Sequence, residues 1–143
     1  MVRLDTNWID YAILLAQGVR DLHLFAAAVQ GRGGSVLPLL GQRAIGLFGA
    51  ETWEGDEVSR AASAALDARR AAERMAVASG RAMSTGGGIS GDVLRAAEQG
   101  SAIPLAGVAI DAVSARSVEG EFAMVEVTPS VFEITARRAT DGA

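Results

Sequence analysis

Residues 56–83 read DEVSRAASAALDARRAAERMAVASGRAM, and how this stretch is read decides the fold. Val58, Ala61, Ala65, Ala68, Ala72, Met75, Ser79 and Ala82 recur at heptad spacing, with small residues at nearly every seam position. Asp56 and Glu57 fall in the first turn, where the helix dipole favours acids. Asp56–Arg60 and Arg69–Glu73 stand at i,i+4. The spacing predicts one long helix. Its alanine seam buries little area per residue, so it needs a second helix or a larger assembly for stability.

The same spacing appears upstream. Trp8, Ala12, Leu15, Val19, Leu22, Ala26 and Val29 follow steps of four and three and predict a helix over 7–30. Asp5, Thr6 or Asn7 would cap it, and Gly31–Gly34 would stop it. Ile9, Ile13 and Phe25 lie off the stripe, so the apolar surface is wide. Residues 35–49 read as a shorter helix or a packed irregular arm, weakened by Gly41, Gly46 and Gly49.

Downstream the period changes. Residues 84–91, Ser-Thr-Gly-Gly-Gly-Ile-Ser-Gly, read as a linker. Ile103–Ala112, Glu121–Val127 and Val131–Ala136 alternate like strands, with Thr128-Pro129-Ser130 as a turn. The expected fold class is α+β. A helical N-terminal part (1–83) is joined by the linker (84–91) to a small antiparallel β sandwich or barrel (92–143).

Composition narrows the chemistry. The chain has 143 residues, a net charge of −4, no cysteine and one histidine, and all 13 of its basic residues are arginine. Disulfides, cysteine-ligated metals, lysine nucleophiles and P-loops are excluded. The acidic balance argues against a general nucleic-acid-binding face. The longest charge-free stretch, Gln99–Ile110, is 12 residues, against the ~20 of a spanning helix. No signal peptide is read at the N-terminus, where Asp5 and Asp10 stand in place of a basic region. The chain therefore reads as soluble, with no membrane and no nucleic-acid partner.

Candidate chemical groups are few. Gly86, Gly88 and Gly91 match G-x-G-x-x-G, with Asp111 twenty residues on, but the motif follows a predicted helix rather than a strand. The glycines read instead as a flexible joint between two differently built parts. His23 lies between Leu22 and Leu24 with no nucleophile near in sequence, and reads as a surface or boundary histidine rather than a general base. Asp10, Asp21, Glu51, Glu54, Asp56 and Glu57 show no spacing that singles out a catalytic pair. Arg69-Arg70 and Arg137-Arg138 read as solvated faces. Trp53-Glu54-Gly55 resembles the W-x-G turn of small secreted helical-hairpin proteins. No catalytic, cofactor or metal residue is assigned.

The strand region carries a further resemblance. It runs Ser90-Gly91-Asp92-Val93-Leu94, Leu105-Ala106-Gly107-Val108-Ala109-Ile110-Asp111, Gly120-Glu121-Phe122 and Ser130-Val131-Phe132-Glu133-Ile134. This order resembles the small phage capsid decoration (cement) proteins over roughly 45 residues of the chain. Ser130 stands where the family pattern has glycine, and the family's later strands have no counterpart. The resemblance implies that 92–97 is a strand. It also implies a non-enzymatic virion structural protein, made in the host cytoplasm, that binds the major capsid protein or another virion protein and stabilises the assembled head. Trp8, Leu15, Leu22, Phe25 and Trp53 would be its partner-interface anchors, in a homo-oligomer. The alternative reading is a W-x-G-like helical-hairpin interaction module acting as a dimer.

Overall fold

The computed structural model describes residues 8–49, 54–85 and 88–138. Its centre is a pair of long antiparallel strands, β1 (Trp8–Val19) and β4 (Ala72–Thr85), in register from Trp8↔Met83 to Val19↔Ala72. Both segments were expected to be helix.

The reason lies in burial. β1 is central and covered on both faces, so every residue from Tyr11 to Ala16 is buried. A continuous apolar run satisfies any period, including the helical one. The same holds for β4, where Met75–Ala78 are all buried. The predicted long helix is in fact α2 (Glu57–Asp67), a 3-10 turn (Arg69–Ala71) and then β4. Helix α1 is only Leu22–Gly31, capped by Asp21, whose carboxylate accepts from the Leu24 N–H at 3.0 Å. The proposed caps Asp5, Thr6 and Asn7 lie outside the described residues.

Residues 35–49 form a hairpin, β2 (Ser35–Leu39) and β3 (Arg43–Phe48), turned by Leu40-Gly41-Gln42. Gly41 and Gln42 both have positive φ, 75° and 60°. Gly46 is needed for packing rather than for conformation, since a Cβ there would meet Val29 at 2.8 Å.

The remaining elements are β5 (Gly88–Ser90), α3 (Asp92–Ser101), β6 (Val108–Asp111), α4 (Ala112–Ser117), β7 (Phe122–Thr128) and β8 (Val131–Arg137). The two C-terminal strands fall where alternation placed them. They do not close a separate barrel. The order is β2-β3-β1-β4-β6-β8-β7, with β5 pairing β4, so the strands join one eight-stranded mixed sheet. β6 runs parallel to β4 through Ala76↔Ala109 and Val77↔Ile110, and antiparallel to β8. The expected helical front with an appended β sandwich or barrel is therefore corrected to a single sheet with helices on both faces.

On one face α1, α2 and α4 cover Leu14, Phe48, Met75, Val77, Ile110 and Ile134. On the other, α3 packs on Tyr11, Ile13, Leu15, Ile45, Ala78 and Ala82 through Val93 and Ala97. The alanines of β4 thus serve close helix-on-sheet packing rather than a helix–helix seam. Residues 92–97, a strand by the decoration-protein resemblance, are the start of α3.

Candidate functional site

Two features share the α3 face of the sheet. The first is a cleft of about 390 Å³ between β4 and the N-terminal turn of α3, lined by Ser79, Gly80, Arg81, Gly91, Asp92, Val93 and Ala96. Gly80 and Gly91 open it, with φ of 149° and 135°, a region other residues rarely enter. The cleft falls within the size range of small-molecule sites. Its floor is apolar, and Asp92 at the rim is engaged by Arg95 at 3.0 Å.

The second feature is the far end of the same face. Register sets Gln17 of β1 between Arg43 of β3 and Arg74 of β4. The Gln17 amide donates to the Ser101 hydroxyl at 2.6 Å, which fixes it toward the end of α3. Arg43 donates to the Leu40 carbonyl and lies 3.7 Å from the Glu98 carboxylate. Arg74 is exposed and makes no ion pair among the described residues. The Gln42 carbonyl accepts from the Val19 N–H at 2.8 Å, tying the hairpin turn to the end of β1.

Arg69 sits at this end too. Its guanidinium donates to the carbonyls of Ala72, Glu73, Leu105 and Ala106. Burial, with the nearby charge of Arg20, holds its pKa below the usual arginine value, and Glu133 opposes that shift.

Among the described residues Glu54, Asp56 and Glu57 form the one carboxylate cluster close enough to share a metal ion. It does not fit that use. The Glu57 carboxylate is fully buried and accepts the N–H groups of Glu54 and Gly55 at 2.6 and 2.8 Å. Arg60 bridges Asp56 and Glu57 at 3.2 and 3.4 Å. The Glu57 carboxylate is held at the N-terminus of α2 by these backbone donors and by Arg60, so it is not free to turn toward an ion.

The other residues considered from sequence are scattered. His23 is exposed on α1. Asp111 caps α4, accepting from the Ser114 N–H and hydroxyl, and Ser114 in turn bonds Ser79 at 2.6 Å. Arg137 bonds Asp67 at 2.9 Å and the Ser63 carbonyl. Of the five interface anchors, Leu15 and Phe25 are fully buried within this chain, and Leu22 is 44% exposed. Trp8 lies on β1, while Trp53 and Glu51 are outside the described residues. Gly86 also lies outside them, and Gly91 caps α3 rather than a dinucleotide loop. Gly80, Gln17, Gln42, Arg43 and Arg74 were missed. Their signal is strand register, which a helical reading of 7–30 and 56–83 cannot produce.

No protein-family model and no curated protein matches the sequence. The structure, by contrast, has the fold of nucleotide cyclase domains. It is similar to the adenylyl cyclase CyaB from P. aeruginosa (TM-score 0.78, 12% identity, covering 94% of this chain and 98% of that one). It is similar also to the non-canonical dimeric guanylyl cyclase domain of the RhoGC fusion protein from the aquatic fungus Blastocladiella emersonii (TM-score 0.76, 12% identity, 92% and 97% covered). A third is the guanylate cyclase domain of RhGC from Catenaria anguillulae in complex with GTP (TM-score 0.74, 16% identity, 91% and 98% covered).

These matches overturn the decoration-protein resemblance, and with it the virion location and the capsid partner. Of the short motifs behind it, the one at Gly91–Leu94 starts helix α3 and the others contribute β6, β7 and β8 to the single sheet. The expectation of a non-enzymatic protein is corrected likewise, since the structures sharing this fold are enzyme domains. The helical-hairpin alternative falls because each of its two long helices is broken, one into β1 and α1 and the other into α2 and β4.

Proposed function

We propose that this domain binds a purine nucleoside triphosphate as one member of a cyclase-type pair, with a second domain of the same fold completing the site. The observation that carries the reading is the correspondence to adenylyl and guanylyl cyclase domains over nearly the whole of both chains. The cleft between Gly80 and Gly91 suits a flat base, because two glycines leave a planar ring free access to backbone.

Gly80 and the arginine-flanked end at Arg74 are six residues apart on β4, or about 20 Å at strand rise. In the pair, the base cleft of one domain works with the phosphate-binding end of the other. Phosphoryl transfer in general uses divalent metal held by carboxylates. The Glu54–Asp56–Glu57 group does not fit that role. The face is also apolar enough to be covered: Leu37, Leu39 and Leu47 are half-buried beside α3, and Leu40 is 90% exposed at the turn.

The test is calorimetric titration of the chain with GTP and with ATP. The reading predicts saturable binding that is lost in Ala96→Phe, which fills the cleft, while the thermal midpoint of that variant is retained. Absence of binding by the intact chain contradicts it.

A further inference from the structure

The row Arg43–Gln17–Arg74 is the least expected arrangement on the molecule. Three adjacent strands place two guanidinium groups on either side of one amide, on one face. Two strand spacings put the arginine Cα atoms about 10 Å apart, so both side chains reach a ligand lying over Gln17. Glu98 answers Arg43 only at 3.7 Å, and Arg74 has no carboxylate partner among the described residues. Arg20 and Arg69 add positive charge at the same end of the sheet, with Glu133 the carboxylate that acts on Arg69.

From this geometry we infer that the sheet end at Arg43, Gln17 and Arg74 binds an oligophosphate anion directly, through guanidinium and amide donors, without a divalent metal. Arginine forks match phosphate oxygens in pairs. A Gln amide contributes N–H donors and cannot repel the anion as a carboxylate does. Glu98 competes with the ligand for Arg43. The inference deepens the nucleotide reading and rests on it for the nucleoside part alone.

The experiment titrates the intact chain with inorganic tripolyphosphate in the presence of a chelator, followed by calorimetry. Saturable binding is expected. Arg74→Gln and Arg43→Gln should each weaken it by about tenfold, as for one charge-assisted contact. Glu98→Gln should strengthen it, a gain that a purely structural role does not produce. Arg116→Gln on α4, remote from the row, should leave it unchanged. Thermal unfolding of each variant checks that the fold is intact. No binding of tripolyphosphate, or binding indifferent to both Arg43→Gln and Arg74→Gln, overturns the inference. GTP and ATP are titrated in parallel. If they bind and tripolyphosphate does not, the anion site falls and the nucleotide reading stands. If tripolyphosphate binds and nucleotides bind no tighter, with Ala96→Phe without effect, the anion site stands and the nucleoside reading falls.

Discussion

Gly100 of α3 rests directly on Ala76 of β4. A Cβ built at Gly100 would lie 3.3 Å from the Cβ atoms of both Ala76 and Ala109. The helix closes on the sheet because all three residues are small. Both the base cleft and the arginine row depend on how close α3 lies to the sheet.

Enlarging this contact should therefore loosen the face. Gly100→Leu and Ala76→Leu are each expected to destabilise the domain by about 1–3 kcal/mol through overpacking. Urea unfolding measures the loss. If either variant is as stable as the parent, α3 does not pack on β4 as described.

Glu57 should matter as a cap and not as a metal ligand. Glu57→Ala leaves the N–H groups of Glu54 and Gly55 without their acceptor and Arg60 without one of its partners. A loss of about 1–3 kcal/mol is expected. Adding Mg²⁺ or Ca²⁺, or a chelator, should leave the thermal midpoint of the parent chain unchanged. A metal-dependent rise that disappears in Glu57→Ala would restore a cation to this cluster.

Gly107 is required for a different reason. Its N–H donates to the Glu133 carboxylate at 2.7 Å, and a Cβ there would run into the Ile134 carbonyl. Gly107→Ala should separate the β6 and β8 strands locally and cost about 1–3 kcal/mol. Hydrogen exchange at Val108 and Ile134 should quicken in that variant. Unchanged protection would show that the strand pair tolerates the extra carbon.

How far these features could be read from sequence depended on burial. β7 and β8 lie toward one edge with part of their surface in water, so polar residues such as Glu126, Glu133 and Thr135 are interspersed among Phe122, Met124, Phe132 and Ile134, and the strands announce themselves. β1 and β4 are covered on both sides, and alternation vanishes where both faces are apolar. Ala12, Leu15 and Val19 then fit a helical stripe as easily as a strand. The alanines of 61–82 serve first a helix and then a strand, and composition alone does not mark the change at Asp67. Once β1 and β4 are misread, no reading of the sequence can place Gln17 beside both Arg43 and Arg74. The W-x-G turn at Trp53 falls outside the described residues.

The central claim is that a nucleoside triphosphate enters the cleft where Gly80 faces α3. The most direct measurement follows the backbone amide resonances of Gly80, Gly91 and Val93 as GTP or ATP is added. The account predicts that all three shift together and saturate on one binding curve. In Ala96→Phe those shifts should disappear, with the rest of the spectrum retained. Amides that stay fixed while nucleotide is added in excess, or that shift equally in Ala96→Phe, would contradict it.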